Sequence, residues 1–359
     1  MGLNAEVEKR RERVIIMQPQ KTSCAQNKGN LFAINQADQH GCLKVEATDA
    51  DQHANNLTNW QQQYDQVSAG NFYGQLVEMQ FEGLQLFKEH TSQALRQTCH
   101  TWDQSLWLGI PLDEKQNSKI NGLNIEKNHI MCRPGNHQFE LVTPNNFDIY
   151  GLVVDQSKIE AMADNQKADI DWHRLYQQGR LTLPEKTIKA LRYVLNNLLS
   201  DKNSQLRPAK LQHDVIMMAL LESLENLQPV KNEAVSFLRR QHIVEQVKNY
   251  LDQHPDSSIT INDLCALCHV SRRTLQYSFE TILGMSPLRY LRISRLNGVR
   301  RDLLNSHQQG IADIATRWGF WHLSQFSQDY KQLFNELPSA TLARESDIFS
   351  NQKHSGISD

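Results

Sequence analysis

The chain has 359 residues, 39% of them apolar and 8% aromatic, and a formal charge of −2; that is enough apolar side chain to fill two or three domain cores. No run approaches the roughly 18 apolar residues of a membrane span, and Met1 to Gln20 lacks the apolar centre of a secretory signal, so the expectation is a cytoplasmic protein without membrane contact. Six cysteines, at 24, 42, 99, 132, 265 and 268, are scattered as reduced thiols would be, not spaced as a disulfide framework.

The small net charge hides an asymmetry. From Val235 to Glu345 there are 13 Lys and Arg against 10 Asp and Glu, a net of +3, whereas residues 1–234 carry 24 against 28. Eleven of the 13 C-terminal cations are Arg, the side chain suited to bidentate contact with phosphate or guanine. The excess alone does not imply nucleic acid; the positions of the arginines decide.

Taken in order, residues 1–45 are rich in Gln, Asn, Lys and Glu without sustained periodicity and are expected to form a disordered tail. Leu57, Trp60 and Tyr64 have helical spacing, which predicts a short amphipathic segment. Short runs of strand character follow over 73–81, 84–88, 95–99, 106–110, 130–133, 139–142 and 147–154. They are punctuated by Gly70-Asn71, Asn121-Gly122, Pro134-Gly135 and Pro144-Asn145-Asn146. Many short strands at near-regular spacing predict a β-sandwich or cupin-like barrel over 46–180, an architecture that encloses space for a small effector.

The pattern then turns helical. Ile188, Leu191, Leu195, Leu198 and Leu199 form one apolar face, and Leu211, Val215, Met218 and Leu224 another. These helices can pack on the barrel, on each other or on a second subunit, so 181–234 reads as a helical linker and a candidate homodimer contact. Gln228-Pro229 ends the second helix. From Val235 to Leu251 an amphipathic helix turns Ile243, Val247 and Leu251 inward, and His254-Pro255-Asp256 closes it. The last residues, 346–359, read as a flexible tail. The fold class is therefore α+β, with a β-rich N-terminal domain, a helical linker and an all-α domain over 235–345.

That last domain contains an internal repeat. Asp263/Asp313, Leu264/Ile314, Cys265/Ala315 and Val270/Phe320 pair at an offset of 50; Leu275/Phe326, Phe279/Tyr330, Leu283/Phe334 and Pro287/Pro338 pair at 51. The repeat predicts two helix-turn-helix units, at about 259–287 and 311–338. A reading helix must offer hydrogen-bonding side chains to a major groove. In the first unit Ser271 sits at the N-cap, Leu275 and Phe279 face inward, and Arg272, Arg273, Gln276 and Tyr277 face out. In the second, Phe326 and Tyr330 face inward, leaving Ser324, Gln325, Ser327, Gln328 and Lys331. Along the joining helix Arg289, Arg292 and Arg300 are candidates for phosphate contact, which positions without specifying. Gly298 in mid-helix costs roughly 1 kcal/mol against Ala and predicts a close crossing. The partner implied is double-stranded DNA.

This C-terminal stretch resembles the AraC/XylS family of transcription regulators. The resemblance rests on Val270-Ser271-Arg272-Arg273-Thr274-Leu275-Gln276 with Gly284-Met285-Ser286-Pro287, and on Arg295-Leu296 with Arg300-Arg301. Ile314-Ala315 to Gly319-Phe320, with Phe326-Ser327 and Leu337-Pro338, completes it. It implies that both reading helices enter successive major-groove segments on one DNA face, that His322 occupies the cap of the second reading helix where Ser or Asp is usual, and that Gln328 replaces a common Arg. It also implies RNA polymerase as a partner, which an exposed Trp321 could meet. Over about residues 55 to 345 the chain resembles regulators of ethanolamine-utilisation operons, on 57–66, 94–97, Arg133-Pro134-Gly135 with Phe139-Glu140-Leu141, and 318–323. That resemblance implies activation by ethanolamine together with adenosylcobalamin, as effectors and not as tightly bound cofactors. A small cation favours a carboxylate and aromatic faces, so Glu140, Trp102 and Trp107 are effector candidates. Arg96 and Arg133 lie in the shared motifs and suit an anionic group or local carboxylates.

Other readings stay open: a regulator of the same family with another effector, a repressor or architectural protein that ignores small molecules, and a DNA-repair methyltransferase with a similar module. Against an enzyme, no Pro-Cys-His-Arg-type motif, Walker loop, His-Glu-x-x-His or Gly-x-Ser-x-Gly is present, and no catalytic residue is assigned. Cys265-Ala266-Leu267-Cys268-His269 matches a haem-attachment pattern but lies inside the first helix-turn-helix, where small buried residues pack. Neither the cysteines nor the fourteen histidines have metal-site spacing, and no metal is expected.

Overall fold

Strand alternation and its burial build the N-terminal half. A computed structural model describes residues 36–37, 42–113, 117–199, 208–228, 233–254, 259–305 and 309–344, all within the unit Ala33–Asp359. Strands β1 (Gln36–Ala37), β2 (Cys42–Ala47), β3 (Gln61–Gln66), β4 (Gly74–Phe81), β5 (Leu84–Thr91), β6 (Leu95–His100) and β7 (Ser105–Pro111) are followed by six more. These are β8 (Ser118–Ile120), β9 (Leu123–Ile125), β10 (His129–Pro134), β11 (Phe139–Thr143), β12 (Phe147–Asp155) and β13 (Arg180–Thr182). They form two antiparallel sheets, in the orders β1-β2-β4-β5-β12-β7-β10-β13 and β3-β6-β11-β8-β9. The first contains β7, buried at every residue, because both of its faces are covered. Trp107 joins Phe87, Leu95, Phe139 and Leu141 between the sheets. Leu106, Leu108 and Ile110 point the other way, onto helices α4 (Glu185–Leu199) and α5 (Ala209–Glu225).

Three expectations change here. Cys42, Val45 and Ala47 are buried in β2, so the tail does not extend to residue 45; residues 1–35 and 38–41 lie outside the described set. The helical spacing of Leu57, Trp60 and Tyr64 is spread over a loop and β3, with Asn59 at φ 62°; the one short helix nearby is α1 (Ala50–Ala54). Helices α4 and α5 complete the core over the large sheet as well as packing on each other, so 181–234 is part of the N-terminal domain more than a linker. Helices α2 (Gln156–Gln166) and α3 (Trp172–Gln177) were not anticipated by any periodicity.

The all-α domain follows the repeat. It consists of α6 (Val235–Gln253), α7 (Ile261–Leu267), α8 (Arg272–Leu283), α9 (Pro287–Asn305), α10 (Ile311–Arg317) and α11 (Leu323–Phe334). Helix α9 serves two cores. Tyr290, Leu291 and Ile293 pack with Leu275, Phe279 and Ile243, while Leu296, Val299 and Leu303 pack with Ile314, Phe326 and Tyr330. No helix among the described residues is long and apolar enough to cross a membrane.

Candidate nucleic-acid interface

Each reading helix is fixed from behind and open in front. In the first unit Thr260 and Asp263 form a capping box on α7, and His269 at φ 52° makes the turn. The Ser271 hydroxyl then accepts from the Thr274 amide at 3.2 Å to start α8. Leu275, Phe279, Ile282 and Leu283 are buried, which presents Ser271, Arg272, Arg273 and Tyr277 to solvent, with Gln276 half-buried and donating to Glu280 at 2.5 Å. The Arg240 guanidinium lies 5.1 Å from the Tyr277 ring centroid, so α6 steadies the outer face.

The second unit has the same plan with a weaker start. Gly319 turns at φ 79°. His322 is the N-cap of α11 but makes no side-chain cap bond, leaving its first-turn amides without the partner that Ser271 supplies in α8. Phe326, Tyr330, Leu333 and Phe334 are buried; His322, Ser324, Gln325, Gln328 and Lys331 are exposed and Ser327 half-buried. Gln325 donates to Asp329 at 2.9 Å.

The arginines of α9 divide. Arg289 is exposed. Arg292 is held by Asp329 through its Nε at 2.7 Å. Arg300 is buried, donating to Asp49 at 2.5 Å and to Glu336 at 2.6 Å, with its guanidinium over Phe334. Its assignment to DNA phosphate is therefore corrected: in this conformation it is a docking residue.

Asp49 belongs to a seam that sequence reasoning missed. Along β3, β6 and β11 the residues Tyr64, Leu95, Phe139 and Leu141 face the other sheet. Asp65, Arg96, Glu140 and Val142 alternate with them and face the helices. Arg96 bridges Asp65 at 2.5 Å and Tyr290 Oη at 2.8 Å; Arg301 also reaches Asp65, at 2.8 Å; Lys248 donates to Glu140 at 2.6 Å. The Asn297 amide exchanges bonds with the Gln66 backbone at 2.9 and 3.0 Å, and Lys119 donates to the Thr281 carbonyl at 2.8 Å. Burial pushes the Asp65 carboxyl up, but Arg96 and Arg301 together hold it below the ordinary carboxylate range. No local motif announces this seam, because its partners are far apart in the chain, Asp49 and Arg300 by 251 residues.

The effector candidates do not converge on one cavity, although Arg96 and Glu140 pair with each other at 3.4 Å. Arg96 and Glu140 are engaged in the seam. Trp107 is buried between the sheets, stacked on Phe139 at 4.6 Å. Arg133, half-buried on β10, has its pKa depressed by burial. Trp102 lines one cavity, with Asn59, Gln80 and Gln85, and Arg96 lines another, with Gln63, Leu291 and Arg301. Cys268 is buried and Cys265 half-buried, both free thiols, in the packing role expected of them. Among the described residues no group of three or more His, Cys, Asp or Glu is placed to hold a metal. Trp318 is half-buried and Trp321 is 70% exposed.

A family model described as a helix-turn-helix domain matches residues 264–344. The probable thc operon regulatory protein of Rhodococcus erythropolis is 38% identical over 102 residues, 28% of this chain and 31% of that one. The XylDLEGF operon transcriptional activator 2 of Pseudomonas putida is 32% identical over 131 residues, 36% of this chain and 81% of that one. Among solved structures, a probable AraC family transcriptional regulator from Rhodopseudomonas palustris is 31% identical, covering 29% of this chain and 97% of that chain at a TM-score of 0.28. The chain thus spans less than a third of the Rhodococcus relative's length, and these three alignments each cover little more than a third of this chain or less.

Proposed function

The chain belongs to the AraC/XylS family of helix-turn-helix transcriptional regulators, and we propose that within it the protein is an effector-responsive operon activator acting in the cytoplasm. The observation that carries DNA binding is the pair of reading helices, each locked by buried aromatic and aliphatic residues behind and presenting exposed hydrogen-bonding side chains in front. Arg272 and Arg273 suit guanine edges; Gln325 and Gln328 suit adenine. Activation is supported by the Pseudomonas relative, which is an operon transcriptional activator, and requires RNA polymerase as a partner. For the effector we propose ethanolamine acting with adenosylcobalamin, supported by the motifs over about residues 55 to 345. A homodimer would use the outer faces of α4 and α5, where Tyr193, Leu211 and Met218 are exposed.

The DNA reading is tested by gel-shift or fluorescence anisotropy on a selected duplex. Arg273→Ala with Gln325→Ala is expected to weaken specific binding by about 2–6 kcal/mol, at roughly 1–3 kcal/mol for each lost base contact, while each variant keeps its far-ultraviolet circular dichroism. Unchanged affinity would remove α8 and α11 from the reading role. A promoter reporter given ethanolamine and cobalamin separately and together tests the effector. Silence with every combination rejects ethanolamine while leaving DNA binding intact, and points to another catabolic effector, as expected if this chain shares with its relatives only the DNA-binding module.

A further inference from the structure

Among the described residues, buried carboxylates follow a rule with one exception. Asp49, Asp65, Glu89, Glu140 and Asp329 are each less than a tenth exposed, and each has a cationic or protonatable partner: Arg300, Arg96 and Arg301, His53, Lys248 and Arg96, and Arg292. Glu78 on β4 is 1% exposed and has no such partner among the described residues. It accepts only from neutral donors: Thr58 Oγ1 at 3.1 Å, Gln80 Nε2 at 2.8 Å and Gln85 Nε2 at 2.5 Å. A buried ionised carboxylate without a counter-charge is costly, which is why such groups are paired or ligand-bound.

The carboxylate lies one side chain behind a cavity. At the open end of the sandwich, Asn59, Gln80, Phe81, Gln85 and Trp102 line a space of about 220 Å³. Gln80 and Gln85, which hold Glu78 Oε1, are thus also its wall. Gln85 Oε1 accepts from Trp60 Nε1 at 2.9 Å, and Trp60 meets Phe87, Trp107 and Phe139 edge-on. Gln80 is exposed and can swing outward without opening the core. The volume admits a molecule of a few heavy atoms and excludes a corrinoid.

We propose that this cavity binds a small organic ammonium ion, with Glu78 as its counter-ion and the Trp102 indole as its apolar and cation–π wall. The ammonium replaces the Gln80 amide on Glu78 and supplies the charge that the amide lacks. The assignment rests on the reading of the β domain as a sensor of an amine and adds to it the site.

The test uses the full chain, with thermal shift and calorimetric titration against ethanolamine and methylammonium, and against ethylene glycol and acetate as neutral and anionic controls. The two ammonium ions are expected to raise the melting temperature and the controls to leave it unchanged. Glu78→Gln should abolish the response while keeping the far-ultraviolet circular dichroism of the wild type. Trp102→Ala, at a half-buried mouth position, should weaken binding by about tenfold or more and keeps the test decisive if the Glu78 variant does not fold. Equal binding of ethylene glycol or acetate, or a full ammonium response in either variant, overturns the site. If the wild type binds ammonium ions and both variants still do, the amine-sensing reading survives and this cavity is wrong. If no ammonium ion binds, the site fails, and the DNA-binding measurements above are untouched.

Discussion

At the scale of single residues, Gly298 shows how a local cost is offset by a packing gain. Its position in mid-helix predicts a close crossing, and the crossing partner is an indole: a Cβ on Gly298 would overlap the six-membered ring of Trp318. Trp318 is held there by its Nε1, which donates to Asp302 at 2.5 Å. Gly298→Ala should therefore lose about 1–3 kcal/mol through overpacking, against a helix-propensity gain of roughly 1 kcal/mol. Adding Trp318→Phe should return part of that loss. Urea denaturation of the two single variants and the double variant measures the coupling; a more stable Gly298→Ala would mean that the ring is not fixed. Asp51, in the first turn of α1, gives a pH-dependent counterpart. Burial, with Asp49 and Asp65 nearby, raises its pKa from the ordinary 3.8 to about 6, against the pull of Arg301. A carboxyl whose pKa is higher in the folded state favours folding below the unfolded value, and this contribution is lost as pH rises through about 6. Asp51→Asn should thus stabilise the protein at neutral pH, on the order of 1–2 kcal/mol, and change little near pH 4. A stability difference that stays constant across that range would show that Asp51 does not titrate as described.

At the scale of elements, legibility followed how local the physical signal is. The seven strands read between 73 and 154 are present because each alternates two faces, and both faces of the large sheet are covered. The tight turn at Asn121-Gly122, at φ 47° and 78°, joins β8 to β9 as those residue types favour. Helices α4 and α6 appear where their apolar faces placed them; α5 is present, but it buries Ile216, Met217, Leu220 and Leu224 and leaves Leu211 and Met218 of the expected face exposed. Strand β3 was misread because its apolar members straddle a loop, so a chance spacing of three and four imitated a helix. Strand β2 was missed because Gln, Asn and Lys dominate its approach, while only Cys42, Val45 and Ala47 inside it are buried. The reading helices were legible because the repeat gives the inward face twice. The effector residues were not. A carboxylate and two tryptophans name a chemistry, but which carboxylate already has a cation depends on strand order: Glu140 has Lys248 and Arg96, and Glu78 has neither a Lys nor an Arg partner among the described residues.

At the scale of the whole molecule, the β domain engages cations of the DNA-binding domain. Arg300 and Arg301 stand on the helix that joins the two reading units, and both are turned toward the β domain, by Asp49 at 2.5 Å and by Asp65 at 2.8 Å. Asp49 does two jobs, since its other oxygen caps α1 by accepting from the Asp51 and Gln52 amides at 3.0 Å. Opening the seam would therefore free the Arg301 guanidinium and loosen α1, while Arg300 keeps Glu336 within its own domain. A protein that neutralises one more phosphate steepens the fall of log affinity with log salt by about 0.9. Asp49→Asn with Asp65→Asn should make that slope more negative by about 1 and raise affinity at low salt, relative to the wild-type chain on the same duplex. Because removing one partner of a buried pair costs roughly 3–5 kcal/mol, the comparison belongs well below the melting point of the double variant, with folding checked by circular dichroism. Arg289→Ala supplies the reverse arm: the residue is exposed, with only a 3.5 Å bond to the Val67 carbonyl, so its loss should flatten the slope by about one phosphate contact in both backgrounds. An unchanged slope in the Asp49/Asp65 variant would make Arg301 purely structural, and the seam a fastening with no part in DNA binding.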